Sequence, residues 1–496
     1  MGIAEKPSLV RGTSRLVARL ALGSSLALAS VAWSQLHVTS DVQAALNRIS
    51  ADSLRENVSF LASDLPGGRY TPSPGLEAAA EYIAARFRRA GLEPVGDDGY
   101  FQNAAMVEVR PNVDGFEFLF EGAKGSIRVL KENVQRQGSG PVSLTRVSVV
   151  KVSGEAVRAM ATRSPNQARG KVLLVTFPVP KPFPWSTLAP LKPALVVLVG
   201  DGLGTGGQAA VHLRYPDDPE PPWLLVQDPA LSRALDRVKP GMLEASVTVR
   251  MAAPSERPVR LRNVVGTLRG SDASLKDTYV LVTAHYDDVG LGGANDNASG
   301  TAAIMDLGAA FAELREKPKR SVVFAAFFGE ERGNMGSRHY SLHPLVPLER
   351  TVVDINLEQL GRTDDSEGSQ IARASLSGFD YSDVGQSLQR AGELVGVKIF
   401  RHKKYSDSYF RLSDSPVFAD LGIPAHTLFV TYDFPGYHRS GDRSDKLDYG
   451  NLEKITRAVA LGVLTIANNS EPPRWNEANR KATPYLQAWK LRHNSH

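Results

Sequence analysis

The sequence predicts an α/β protein: a mixed, mostly parallel sheet flanked by helices, interrupted by an inserted β-rich domain. Three observations carry this expectation. Residues 254–470 alternate short, continuously apolar runs with helical stretches, as strands buried on both faces and their crossovers do. Residues 107–253 change character, with β-branched runs separated by Pro and Gly and little helical periodicity. The length of 496 residues exceeds an ordinary single core, so two or three units are expected.

Residues 1–34 stand apart. Lys6, Arg11, Arg15 and Arg19 form a basic leader, "LALGSSLALASVA" is apolar with small residues, and Ala32-Trp33-Ser34 precedes Gln35. This is the pattern of a signal peptide cut after Ser34, which implies a secreted or periplasmic protein with no membrane attachment after cleavage. The apolar run falls short of the ~20 residues a span needs, so an anchor is the weaker reading. Four cations against Glu5 make the leader the source of most of the net charge of +5. The run "RHKK" at 401–404 is too short to form a broad basic face, so no nucleic-acid partner is expected. The chain has no cysteine, which removes disulfides, a lipid-modified cysteine, a thiol nucleophile and thiolate ligands. Any metal site must be built from His, Asp and Glu.

Residues 35–106 read as the helical first part of the main domain. "LRENVSFLA" and "LEAAAEYIAARFRRAGLEP" place apolar residues three and four apart, Gly91 and Pro94 give a stop, and "SDLPGGRYTPSPG" between them is turn-rich. Residues 107–253 hold "FEFLF", an alternating run over 143–152, "KVLLVTF", "ALVVLVG", "PWLLVQ" and "ASVTVRM". In 254–470 the strands are "YVLVTAH" (279–285), "SVVFAAFF" (321–328), "TVVDINL" (351–357) and "PAHTLFV" (424–430). Between the first two, Ile304, Leu307, Phe311 and Leu314 form one helical stripe, with Asn297 or Ser299 placed to cap it. The tail, 471–496, is polar and expected to be loosely ordered.

Ligands of α/β sheets bind beyond the carboxyl ends of the strands. His285 and Asp287 follow the first strand, with Asp296 in the next loop; Glu330 and Glu331 follow the second, Glu358 ends the third, and His438 lies beyond the fourth. Two histidines and three carboxylates suit a dinuclear centre of zinc, with cobalt or manganese as alternatives. Two ions ~3.5–4 Å apart need a bridging carboxylate, and Asp296, between Asn295 and Asn297, is placed for it. His285 and Glu358 would complete one ion, Glu331 and His438 the other. Asp287 is expected to accept the His285 ring N–H and fix its tautomer. Glu330 is left free as general base toward an activated water, and Tyr437 as oxyanion donor. Blander readings exist for each. A lone histidine after a strand is commonly structural, paired glutamates often start a solvated helix, and a tyrosine beside a loop often only packs. Asp354 shares a strand face with Glu358 by period two and is its rival. His339, His343, His402 and His426 read as structural or exposed.

"AHYD", "GANDNASG", "GEERGNMGS", "NLEQLGR" and "YHRSGDRSDKLD", in this order and spacing, resemble the M28 family of zinc metallopeptidases. The 107–253 stretch, with "GKVLLVTF" and "PALVVLVG", is similar to the protease-associated insert of many members. The resemblance implies ligand roles for His285, Asp296, Glu331, Glu358 and His438, the base role for Glu330 and the orienting role for Asp287. "LSDSPVFADLGIPA" (412–425) looks like the family's substrate-proximal segment, which gives Asp414 a substrate-binding role; a local turn cap is the simpler alternative. The chain departs from the family at Glu358, where Asp is frequent, at Asp288 and Ser415, where His is frequent, and in "LPGGRY" (65–70), which replaces an acidic residue before Gly-Arg.

The expected activity is removal of N-terminal residues from peptides with a free amino end. A carboxypeptidase or dipeptidase of the same family, a one-zinc glutaminyl-cyclase-like enzyme and a non-catalytic binding ectodomain are the alternatives.

Overall fold

The computed structural model describes residues 38–112, 114–137, 141–163, 165–179, 188–200, 211–216 and 223–494. The leader and its cleavage point lie outside them. Two large sheets organise the described chain. The first has ten strands, ordered Lys398–Phe400, Arg373–Leu376, Ala425–Phe429, Thr351–Glu358, Tyr279–His285, Ser321–Phe327, Ser255–Leu268, Phe101–Arg110 and His212–Arg214, with Glu93–Pro94 paired to 255–268.

The four runs read from the sequence are adjacent and parallel at its centre, in register Tyr279↔Ser321, Leu281↔Asp354 and Asp354↔Ala425. Flanking pairs are antiparallel on both sides of this centre, including 255–268 with 101–110 and 373–376 with 425–429. Parallel pairing is thus confined to the centre and one edge pair, 373–376 with 398–400. Those four central strands all end at one rim, because parallel strands share a direction. Their side chains are buried on both faces, as continuous apolar runs demand.

The helix Ser299–Ala312 packs on the 279–285 strand and both its neighbours, burying Ile304, Leu307 and Phe311. The helix Pro74–Ala90 starts where Ser73 accepts a hydrogen bond from the Leu76 N–H and ends at Gly91, whose φ of 78° suits glycine. It buries Leu76, Ala80, Ile83, Ala84 and Phe87 on one stripe. Tyr449–Asn468 is the longest helix among the described residues, and none of these is long and apolar enough to cross a membrane.

The second sheet has eight strands, ordered Gly125–Arg128, Glu117–Gly122, Gly241–Met251, Val142–Ser153, Val172–Thr176, Leu195–Val199, Trp223–Val226 and Val134–Gln137. Strands 142–153, 172–176, 195–199 and 223–226 are parallel neighbours. Val172 and Leu174 enter one apolar cluster, Leu173 and Val175 the other, so this sheet is also covered on both faces. Helices Val157–Arg163 and Pro229–Asp236 accompany it. The region that reads as β-rich is therefore itself α/β, its helices being too short to show periodicity. The large sheet also reaches into this stretch: 101–110 runs past residue 107, and 212–214 pairs with it.

The tail differs from expectation. Trp475 and Tyr485 are buried with Phe410 and Phe418, and Thr483–Asn494 is helical. The Trp475 indole N–H donates to the Gly422 carbonyl at 2.9 Å. Two large aromatic rings hold down a segment whose polar composition alone suggested looseness.

Candidate metal centre

The rim of the four parallel strands gathers the sequence-selected residues. His285 is the last residue of its strand and completely buried. Its Nε2 lies 3.3 Å from Asp296 Oδ1, and its Nδ1 lies 3.4 Å from Asp287 Oδ1. The His438 Nε2 lies 3.1 Å from Asp296 Oδ2 and 3.3 Å from Glu331 Oε1. The two oxygens of Asp296 thus face two different imidazoles. Two sets of ligand atoms result, each within 4.8 Å: His285, Asp296 and Glu358, and Asp296, Glu331 and His438. Asp296 belongs to both.

Several ligand atoms here lack hydrogen bonds although buried: His285 Nε2, Glu331 Oε1 and Glu358 Oε2. Buried polar atoms are ordinarily partnered, and a cation between them would supply the missing partner. The set of two imidazoles and three carboxylates, without thiolate, fits zinc or a similar divalent ion.

The electrostatics agree. Burial raises the pKa of Glu358 to about 8 and pushes Glu331 up, against the opposing pull of His285 and His438 respectively. Burial also pushes Glu330 well above the carboxylate range, with neighbouring Glu358, Asp414 and Glu331 adding to it. Asp296 goes the other way, to about 2, because His285 and His438 outweigh its burial. The adjacent carboxylates of Asp296 and Glu331 hold His438 up at about 10. Carboxylates crowded out of water cannot all ionise without positive charge among them, and bound cations reverse this local logic.

Asp287 faces away from the cluster of ligand atoms. Its Oδ1 also accepts the Glu330 backbone N–H at 3.1 Å and its Oδ2 the Thr71 hydroxyl at 3.2 Å, so it ties His285 to the loop of the two glutamates. Asp354 is not among the gathered ligands. It lies deeper on the strand, where Oδ1 accepts from Thr283 Oγ1 at 2.8 Å. Asp414 is fully buried and its side chain caps no helix. Its Oδ1 accepts from Ser337 Oγ at 2.5 Å, Oδ2 has no hydrogen bond, and burial raises its pKa to about 6. The Tyr437 ring stacks on His438 at 4.0 Å between centroids and is 38% exposed, on the side where His438 also meets solvent. Desolvation, then the charge of Asp296, Glu358, Glu331 and Glu330, pushes its pKa up, so its hydroxyl keeps the proton.

Other residues build the centre without standing out in the sequence. Asp442 is buried, and its carboxylate accepts the backbone N–H groups of Asn295 (2.8 Å) and Asp296 (3.0 Å). It joins the His438 loop to the Asp296 loop. Asn295 Oδ1 accepts from Gly361 and Arg362, and Asn297 Nδ2 donates to the Leu357 carbonyl, which ties the bridging loop to the end of the third strand. Four non-glycine residues with positive φ flank the site: Asn334 (60°), Gln359 (53°), Ser413 (87°) and His438 (53°). Such backbone costs about 1–3 kcal/mol each and persists where neighbours over-determine it. Ser413 shows how: its carbonyl accepts from Asn334 Nδ2 and its hydroxyl from Asn356 Nδ2. Three of the other described histidines are occupied elsewhere: His426 lies between Ser382 Oγ and the Ser377 carbonyl, His339 beside the Tyr215 hydroxyl, and His402 beside Glu367.

Residues 263–463 match the family model described as Peptidase family M28. Over that span the chain is similar to M28-family peptidases. That span contains every residue of the two ligand sets. Aminopeptidase YwaD of Bacillus subtilis is 28% identical over 230 residues, covering 45% of this chain and 48% of that protein. A probable zinc metalloprotease of Pyrenophora tritici-repentis is 33% identical over 269 residues, covering 46% and 59%. The chain spans about half the length of the curated relatives it matches. Among solved structures, an aminopeptidase from Aneurinibacillus sp. strain AM-1 is similar over 88% of this chain and 97% of that one, with a TM-score of 0.59 and 19% identity, a likeness of fold. The described chain therefore has a mixed α/β fold like that of this aminopeptidase.

Proposed function

We propose that the protein is a secreted zinc exopeptidase with two ions per chain that removes N-terminal residues from peptides. The observation that carries this is the bridging geometry of Asp296, whose two oxygens are turned to two separate imidazoles. The names of the zinc metalloprotease and aminopeptidase relatives support zinc and the reaction class. The basic, then apolar leader supports export.

His285, Asp296 and Glu358 would hold one ion, and Asp296, Glu331 and His438 the other. Bound zinc would polarise the scissile carbonyl and make a water acidic near neutral pH. Glu330, free of the ligand sets, would act as the general base toward the attacking water and as the proton donor to the leaving amine. Asp287 keeps the His285 ring turned toward Asp296. The protonated Tyr437 hydroxyl donates to the oxyanion from the open side. With cations bound to let them ionise, Glu330, Glu358 and Asp414 would supply the acidic groups that receive a substrate's free amino group, which favours an aminopeptidase. The 107–253 stretch is read as a protease-associated insert that shapes access. Its support is the contact of Arg332, next to Glu331, with the Val211 carbonyl.

The test is metal-stripped protein, reconstituted with zinc and assayed on aminoacyl-anilides, N-blocked dipeptides and N-terminal glutaminyl peptides. The expected result is two zinc ions per chain and cleavage only of substrates with a free amino end. Cleavage restricted to N-blocked dipeptides would make it a carboxypeptidase. One zinc with cyclisation would make it a glutaminyl-cyclase-like enzyme. Two zinc ions without turnover would make it a binding protein.

A further inference from the structure

Two departures from the family pattern, the "LPGGRY" segment and Asp288, have no role in the reading above. In the structure they touch each other. Arg69 is 1% exposed, and its guanidinium reaches into the loop that leads from His285 to Asp296. Nε donates to the Tyr286 carbonyl at 2.7 Å, Nη1 to Gly292 at 3.2 Å, and Nη2 to Gly293 at 2.7 Å. Nη1 lies 3.3 Å from Asp288 Oδ2, which also accepts the Arg69 backbone N–H at 3.3 Å. The Asp288 N–H returns a bond to the Arg69 carbonyl at 3.2 Å. Two residues on, Thr71 Oγ1 donates to Asp287, the partner of His285.

The loop 286–293 is neither helix nor strand, so its inward carbonyls have no ladder to bond to. A buried carbonyl without a partner costs about 1–3 kcal/mol. One planar guanidinium satisfies three of them at both ends of the loop, which a rounder ammonium cannot do. The fit is close: a Cβ on Gly293 would lie 2.8 Å from Arg69 Nη2, and one on Gly68 would lie 3.1 Å from Gly290 Cα.

Resting on the metal reading above, we propose that Arg69 and Thr71 are positioning residues for the metal centre. Arg69, with Asp288 as its counter-ion, sets the spacing of His285 from Asp296. Thr71 sets the orientation of Asp287.

The test uses Thr71→Val, Thr71→Ser and Arg69→Lys in the full chain. Zinc stoichiometry and dissociation constants come from chelator competition, and melting curves are taken without metal. Loss of an outer-shell partner ordinarily weakens metal binding about 10–100-fold. Thr71→Val is expected to show that loss with an almost unchanged metal-free melting temperature, and Thr71→Ser to restore binding. Arg69→Lys is expected to weaken zinc further and to lower kcat more than it changes KM. Wild-type zinc affinity in folded Thr71→Val and Arg69→Lys, with effects confined to melting, would overturn the proposal and leave a purely structural clamp. If Arg69→Lys does not fold, the two Thr71 variants decide. Wild-type protein that takes up no zinc would overturn the metal reading itself.

Discussion

The two sheets are built alike and end differently. Each has four neighbouring parallel strands and apolar clusters on both faces; those of the large sheet read in the sequence as continuous apolar runs, whereas the first of the second sheet, 142–153, reads as an alternating one. At the carboxyl ends of the large sheet stand His285, Glu330, Glu331 and Glu358. The corresponding ends of the second sheet run into Phe177, Gly200 and Gln227-Asp228. Asp228, the acid there, accepts from the Ala230 and Leu231 N–H groups and so caps its helix. Among the described residues, groups able to hold a metal occur only at the large sheet. Packing makes the scaffold, and a few residues past the strand ends decide whether it carries chemistry.

This contrast can be broken or sharpened experimentally. Glu330→Gln should have the largest effect. Turnover should fall about 10²–10⁴-fold, with melting temperature and zinc content retained; wild-type rates in that variant would remove the general-base role. Leu174→Ala in the second sheet should cost about 2–5 kcal/mol of stability, read in denaturant titration, with kcat per folded molecule unchanged. A drop in kcat there would couple the second sheet to catalysis.

A third measurement concerns Asp306, on the helix covering the large sheet. Burial raises its pKa to about 7, against hydrogen bonds from Ser53 and Asn57 and with Arg86 and Glu56 as charged neighbours. A raised carboxyl favours the fold while protonated. Its contribution is full below the unfolded value of 3.8 and is lost as pH rises through 7. The melting temperature should therefore fall between pH 5 and 8 by more in the wild type than in Asp306→Asn; parallel profiles would refute the assignment. The smallest effect is expected from Asp228→Ala, about 1 kcal/mol from a lost helix cap, with zinc binding untouched.

How much was legible follows from the range of each interaction. The four central strands, the 299–312 helix and the gathering of the five candidate ligands at one rim were readable because each depends on a local run and the residues that follow it. Glu358 against Asp354 was not decidable by period two, since both share a face; depth along the strand separates them, and Thr283 holds Asp354. Asp442 and Arg69 were missed because they act on the backbone of a distant segment, which leaves no periodicity near them. The sole trace of Asp442 was an acid four residues after His438 in a turn-rich run, equally suited to a solvated turn. The two helices of the second sheet and the buried tail were lost for the opposite reason: short elements carry too few residues to show a stripe.

The loop that bears Asp296 takes its shape from residue 69 on one side and residue 442 on the other. Neither of the two flanking partners is a near neighbour in the chain. A polypeptide emerging from the ribosome, or threaded through a membrane pore in extended form, has no working centre until almost its whole length has been delivered. On the proposed reading, peptide hydrolysis would begin only once residues as far apart as 69 and 442 are both in place.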